Sequence, residues 1–294
     1  MDGIINIYKE RGFTSHDVVA KLRGVLRQKK IGHTGTLDPD AVGVLPVCLG
    51  KGTKICEFLS DEDKTYRAVL RLGVTTDTQD HTGKVLRERS VDVTEEQVRE
   101  VIEEFEGKQM QLPPMYSALK VNGRKLYELA REGREVERKA REVYFYEIEI
   151  LRIELPLVEM KVTCSKGTYI RTLCHDIGEK LGCGGCMQEL TRTRVGTFYL
   201  EDSLTLAQVE RLVREGTLEQ EVVPVEEMFQ ELLRICCPES LDKCVHNGNP
   251  VSVSDLGRYF QGQIRMCDSH GVFIGIYQWR EDRKRYYPVK MFYP

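Results

Sequence analysis

The chain has 294 residues, 41% of them hydrophobic, and 43 Lys and Arg against 46 Asp and Glu give a formal net charge of −3. That length holds one large domain and a small one around a real core. No apolar run approaches a membrane span, and Met1-Asp2-Gly3-Ile4-Ile5 lacks the basic and apolar segments of a secretory signal, so a cytoplasmic protein without membrane contact is expected.

Along the chain, Gly3–Tyr8 alternates as a strand, and Ser15 is placed to cap a helix with Val18, Val19, Leu22, Val25 and Leu26 on one face. Gly32-His33-Thr34-Gly35-Thr36-Leu37-Asp38-Pro39 follows. Pro39 pushes Asp38 towards an extended conformation, and the two glycines let a ligand come close. The apolar run from Val42 to Val47 anchors this loop in the core, which favours a site over a solvated turn. The Gly32 and Thr34 neighbours suit His33 to a surface turn. Tyr66, Ala68, Leu70 and Leu72 share one strand face, with Arg67 and Arg71 on the other.

Thr94 and Gln97 form a capping box for a helix with Val98, Val101, Ile102 and Phe105 inward, ended by Gly107. A helix is expected over Gly123–Glu132, stopping at Gly133, then strands at Val143–Ile153 and Val158–Cys164. Thr168–Leu181 has helical spacing and carries Arg171 in its first turns, and Thr205 with Gln208 opens a helix to about Arg214. Beyond an acidic stretch, short strands at Pro250–Val253, Gln263–Cys267, Val272–Tyr277 and Tyr286–Phe292 make a small β-rich unit.

Charge is unevenly spread. Residues 120–141 hold eight basic side chains (Lys120, Arg124, Lys125, Arg131, Arg134, Arg138, Lys139, Arg141) against four Glu, and residues 1–54 hold nine basic against five acidic. Distribution decides partner choice more than the total does. The ten cysteines show no repeated spacing. Cys183-Gly184-Gly185-Cys186 has no second pair or spaced histidines, so a free-thiol loop in a reduced protein is expected, with no metal.

The octapeptide 32–39, with Gly43-Val44-Leu45-Pro46 and Gly50-Lys51-Gly52-Thr53-Lys54, resembles the bacterial TruB family of tRNA pseudouridine synthases. The likeness continues in Asp63–Arg67, Leu72–Asp80, Pro113–Lys120, Ser165–Leu173 and Leu190–Gly196, all in family order. It implies an α+β pseudouridine synthase fold, with a central mixed, largely antiparallel sheet flanked by helices. It further implies a catalytic domain over 1–230 and a small β-rich, PUA-like RNA-binding domain over 231–294. By the same resemblance Asp38 is the catalytic nucleophile, Arg171 its cationic partner and Tyr66 the ring that stacks on a flipped base. His33 then wedges into the tRNA T-loop, Lys9, Asp80 and Leu190 lie near the site, and the 120–141 insertion grips the RNA stem. The reaction implied turns uridine 55 of the T-arm into pseudouridine without redox step or group donor, so no cofactor is expected. An Arg171 guanidinium within ~4–6 Å is expected to lower the Asp38 pKa by about 1–3 units.

Other readings fit less well. Six residues separate Gly43 from Gly50, so no phosphate-binding P-loop is formed. His16-Asp17 and His175-Asp176 lack the further ligands of a metal hydrolase. A glycoside hydrolase pairing Asp38 with Asp40 or Asp80 conflicts with the basic surfaces. An RNA-binding or tRNA-folding protein without essential catalysis shares every basic feature and differs only at Asp38. Guide-RNA-dependent relatives rely on protein partners and often carry basic extensions, which this chain lacks, so a stand-alone, monomeric enzyme acting on the T-arm stem-loop is expected.

Overall fold

Period-two alternation builds the central sheet. The computed structural model describes residues 1–121 and 123–293; Asn122, inside the 120–141 segment, and Pro294, ending the 231–294 unit, lie outside the described residues. The first strands are β1 (Gly3–Lys9), β2 (Ile31–His33), β3 (Val42–Leu49) and β4 (Lys64–Leu72). They continue with β5 (Gly107–Gln111), β6 (Arg141–Glu154), β7 (Leu157–Cys164) and β8 (Gly185–Val195). Their order is β1-β3-β8-β4-β7-β6-β5, with β2 on β3. Only the short β3–β8 contact, Thr191 to Val42 and Arg192 to Gly43, is parallel, so the sheet is mixed and largely antiparallel as expected. On β4, Tyr66, Ala68, Leu70 and Leu72 are buried while Arg67 and Arg71 face solvent, as the alternation dictates.

Helices cover the sheet. Helix α1 (Ser15–Leu26) and helix α4 (Leu206–Glu215) pack Val18, Leu22 and Val209 with Ile5, Ile7, Leu45 and Val47. Helix α2 (Glu95–Glu103) and helix α3 (Ile170–Lys180) bury Val98, Ile102, Leu173 and Ile177 with Ala68, Leu70 and Met160. Each such apolar side chain contributes about 1.5–3 kcal/mol when fully buried.

Several local expectations are corrected. Thr14, not Ser15, caps α1: its hydroxyl accepts from the Asp17 N–H, and the Asp17 carboxylate accepts from the Thr14 N–H. Ser15 is turned inward, where its Oγ accepts a hydrogen bond from the Leu37 N–H at 3.0 Å. Gly107 does not end α2; at φ 85° it opens β5, since the helix has already stopped at Glu103. The helix expected over Gly123–Glu132 is shorter, Leu126–Arg131. Lys120–Val121 and Arg124–Lys125 pair as a hairpin with Gly123 at φ 82°, leaving only Leu126–Arg131 helical. Cys186 belongs to β8 rather than a loop, and Cys183 is buried beside it.

The second sheet contains β9 (Leu233–Cys236), β10 (Val251–Ser252), β11 (Gln263–Cys267), β12 (Phe273–Arg280) and β13 (Arg285–Met291), in the order β9-β11-β12-β13-β10. Strand β9 went unseen in sequence because four residues beside an acidic stretch carry almost no periodic signal. Ile4, Val44, Ile55 and Val195 of the large sheet region pack with Phe229, Ile276 and Phe292, so a shared apolar core seats this unit on the first.

One close approach governs the β3–β8 junction. Gly43 has φ 108°, and a Cβ there would lie 2.2 Å from the Arg192 carbonyl oxygen. Gly43→Ala is therefore expected to cost about 2–4 kcal/mol, combining backbone strain with overpacking. Urea unfolding measures this; a change near zero would mean the junction is not tight.

Candidate active site

The loop between β2 and β3 carries Asp38, and its neighbours leave it little freedom. Lys9, at the end of β1 and fully buried, sends its ammonium to the carbonyls of Glu10 (3.1 Å), Phe13 (2.6 Å) and Pro39 (3.0 Å). Burial brings the Lys9 pKa down to about 8, against the pull of the Asp38 carboxylate. The Gly12 N–H also donates to the Pro39 carbonyl at 2.9 Å, and the Ala41 N–H closes a turn onto the Asp38 carbonyl at 3.1 Å. Leu37 is sunk in the core, and its N–H is the one that Ser15 accepts. The sequence offered Ser15 as a helix cap and gave no sign of this contact with the loop.

Arg171 meets Asp38 from the first turn of α3. Its Nε lies 3.0 Å from Oδ2 and its Nη2 3.3 Å from Oδ1, a two-pronged contact. The same guanidinium donates to the Thr78 carbonyl at 3.0 Å and the Tyr116 carbonyl at 2.7 Å. Asp80 Oδ2 stands 3.8 Å from Nη1, while Asp80 Oδ1 accepts from the Thr78 hydroxyl, the Thr82 N–H and the Thr82 hydroxyl. Gln111 fixes the helix entry, accepting from the Tyr169 N–H at 2.7 Å and donating to its carbonyl at 3.0 Å. Arg171 itself is 5% exposed, whereas the Asp38 side chain keeps 38% of its surface open to a cleft.

The carboxyl pKa departs from the sequence expectation. Asp38 is raised, not lowered: dense protein packing around it penalises the charged form, and the Asp80 carboxylate adds to this. The Arg171 guanidinium opposes both without reversing them.

Asp38, Ala41, Asp80, His81, Thr82, Met187 and Leu190 share the cleft lining. Tyr66 is not among the residues lining this cleft; it is 8% exposed, with burial lifting its phenol to about 12. A larger groove of about 610 Å³ runs past Val69, Arg71, Arg152 and Leu157, and contains none of the groups just described. Asp38, Asp80 and His81 thus converge on the smaller cleft.

His33 ends β2 and is half-buried rather than in a surface turn, because the adjacent Thr34 points into the core. Its Nδ1 accepts from the Gly35 N–H at 3.3 Å, and its ring stands edge-on to His16 at 5.2 Å. Burial, then the His16 and Arg192 charges, bring its pKa down to about 4, so it is neutral near pH 7.

The basic run is partly self-neutralised. Arg124 and Arg134 both pair with Glu132, and Arg138 donates to the Pro113 carbonyl at 3.0 Å and to Glu135 at 3.0 Å. Lys125 and Arg131 lie over the Tyr127 ring. Lys120, Lys139 and Arg141 are exposed. Arg138 is thereby a strut of the segment, a role its neighbours in sequence did not suggest.

Arg192 also escaped selection. It follows Leu190 by two residues, so strand alternation puts both on one face; that period was the available signal. Its Nε donates to the Val44 carbonyl at 2.7 Å and its Nη2 to the Gly35 carbonyl at 3.3 Å.

The mixed sheet with its flanking helices and a second, β-rich unit is the fold of a pseudouridine synthase. Two solved structures support the fold: "Structure of H/ACA RNP bound to a substrate RNA containing 2'-deoxyuridine" (TM-score 0.74, 27% identity) and "Crystal Structure of a Cbf5-Nop10-Gar1 Complex" (TM-score 0.74, 29% identity). Each alignment covers 99% of this chain and 85% of the other. Residues 23–170 match the TruB family pseudouridylate synthase N-terminal domain, and residues 171–230 the tRNA pseudouridylate synthase B C-terminal domain. Curated relatives named tRNA pseudouridine synthase B include that of Lachnoclostridium phytofermentans, 53% identical over 309 residues, covering 99% of this chain and 100% of the relative. Another, from Clostridium tetani, is 49% identical over 282 residues, covering 95% and 96%. The chain belongs to the TruB family of pseudouridylate synthases.

The depressed His33 pKa has a measurable consequence. Its imidazole resonances should titrate near pH 4, and stability should fall as pH drops from about 6.5 to about 4, because the unfolded chain binds that proton first. In His33→Gln the slope over this window should flatten. A His33 midpoint near 6.5 would show the ring to be solvated.

Proposed function

We infer that the protein isomerises uridine to pseudouridine in tRNA, and propose that the target is uridine 55 of the T-arm, attacked by Asp38. The two-pronged Asp38–Arg171 contact at the mouth of a cleft carries this reading. Isomerisation breaks the N1–C1′ bond, turns the uracil, and joins C5 to C1′; C5 loses a proton and N1 gains one. Atoms balance without redox chemistry or donor, so the reaction calls for no cofactor.

Reaching C1′ or C6 requires unstacking the nucleotide. Tyr66 then stacks on the base, a contact worth ~1–3 kcal/mol, while neutral His33 fills the vacated place in the loop. Lys9 holds the Asp38 loop through Pro39, Asp80 steadies Arg171, and Leu190 forms the pocket wall. An Asp38 carboxylate is needed as nucleophile, and Arg171 keeps it ionised despite its burial.

The catalytic domain spans 1–230, with 120–141 closing over the RNA stem, and 231–294 is a PUA-like unit that adds RNA contact. Within the run, Lys120, Lys139 and Arg141 reach phosphates directly, and Arg124, Lys125, Arg131, Arg134 and Arg138 shape the segment or contribute once RNA competes for their partners. In this reading the protein acts in the cytoplasm as a monomer without an obligatory protein partner, and the match of nearly the whole chain to curated relatives named tRNA pseudouridine synthase B supports tRNA as its substrate.

Asp38→Asn should abolish tritium release from C5-labelled uridine in a T-arm stem-loop while leaving RNA affinity within about threefold. Release by the variant at near wild-type rate would remove Asp38 from the chemistry. Wild-type activity should be lost on acidification at a pH above the ordinary aspartate value of about 3.9, because the raised Asp38 pKa is titrated first. Replacing Lys120, Lys139 and Arg141 together by Ala should reduce the slope of log K against log[salt] by about 2–3. An unchanged slope would place the stem elsewhere.

A further inference from the structure

Arg192 is a second guanidinium behind the site, 2% exposed, and it pairs with no carboxylate among the described residues. Burying an arginine among neutral carbonyls forfeits much solvation, and an apolar side chain of similar volume would fill the space at lower cost. What the charge touches is informative. On β8 it is the register partner of Tyr66 on β4, so the two side chains stand on one face of the sheet and the guanidinium charge acts on the phenol. Its Nη2 bonds the Gly35 carbonyl, two residues after His33 and three before Asp38, while its Nε bonds Val44 just beyond the same loop. A Cβ on Gly35 would stand 3.5 Å from Nη1, and one on Gly43 would strike the Arg192 carbonyl. The guanidinium is thus in van der Waals range of Gly35, and Gly43 lets the β3 backbone close onto that of β8 at Arg192.

We propose that Arg192 is a positioning residue for the isomerisation: it clamps both ends of the Asp38 loop and donates to the Tyr66 hydroxyl, so that the ring that stacks on the bound base is held in one place. This rests on the isomerase reading above. A phenol anchored at its hydroxyl by a fixed cation cannot tilt or swing. Tyr66 then presents one defined ring face to a flipped uracil. The same charge reaches His33, Lys9 and Lys64, disfavouring further positive charge on each. Arg192 touches no substrate in this scheme and acts through Tyr66 and the loop.

The test is a double-mutant cycle under single-turnover conditions with C5-tritiated T-arm RNA, using Arg192→Met and Arg192→Lys in the wild-type and Tyr66→Phe backgrounds. RNA Kd, thermal midpoint and the His33 NMR titration are followed in parallel. Arg192→Met should slow release at least thirtyfold with Kd within threefold, and should raise the His33 midpoint. Arg192→Lys, which keeps the charge but cannot span Gly35, Val44 and Tyr66 together, should restore the His33 midpoint and only part of the rate. In Tyr66→Phe each Arg192 substitution should cost less than half as much, on a logarithmic scale, as in the wild type. Equal losses in both backgrounds, or a rate unchanged by Arg192→Met, would overturn the proposal. If Arg192→Met does not fold, Arg192→Lys alone decides by the same comparison. A wild-type protein that releases no tritium would sink the isomerase reading itself, a result distinct from any of these.

Discussion

A carboxylate that must stay ionised inside a protein needs a cation whose own position is beyond doubt, and Arg171 meets that requirement. Its guanidinium spends donors on the Thr78 and Tyr116 carbonyls as well as on Asp38, so three separate segments fix its plane. A planar fork suits this task better than an ammonium, which would lose the two-pronged geometry. Burial raises the Asp38 pKa, and among the groups around it the Arg171 guanidinium is the largest influence favouring the charged form.

Much of the fold serves that contact. Strand β1 delivers Lys9 to the underside of the loop, α1 delivers Ser15 to the Leu37 N–H, and β5 delivers Gln111 to the start of α3. These are polar groups buried for geometry rather than for stability, since hydrogen bonds of this kind return only about 0.5–1.5 kcal/mol each. The apolar core between sheet and helices supplies the stability against which such groups are held.

Long periodic elements were legible in the sequence, and short or polar ones were not. The alternation of β4 and the capping boxes at Thr94 and Thr205 each matched the structure because local chemistry determines them. Ser15 was misjudged since two adjacent hydroxyl residues, Thr14 and Ser15, satisfy the same rule, and only the tertiary partner Leu37 separates them. Over Gly123–Glu132 the helix propensity is real, but Gly123 at positive φ turns the chain so that Arg124–Lys125 pair with Lys120–Val121 and the helix starts only at Leu126. Asp38 could be singled out from its loop context, yet the sign of its pKa shift could not. That sign depends on how many atoms crowd the carboxyl, which no motif records. Arg192 stood in plain view two residues after Leu190 and was passed over because strand period alone does not distinguish a structural from a functional arginine.

The most direct trial of the ion pair is to neutralise the cation and leave the nucleophile in place. Arg171→Gln, confirmed folded by its thermal midpoint, should release C5 tritium in a single turnover at least a hundredfold more slowly than wild type, a loss of about 2.7 kcal/mol in barrier terms, with RNA affinity little changed. A rate within threefold of wild type would show that Asp38 needs no cationic partner, and the electrostatic basis given for this site would be wrong.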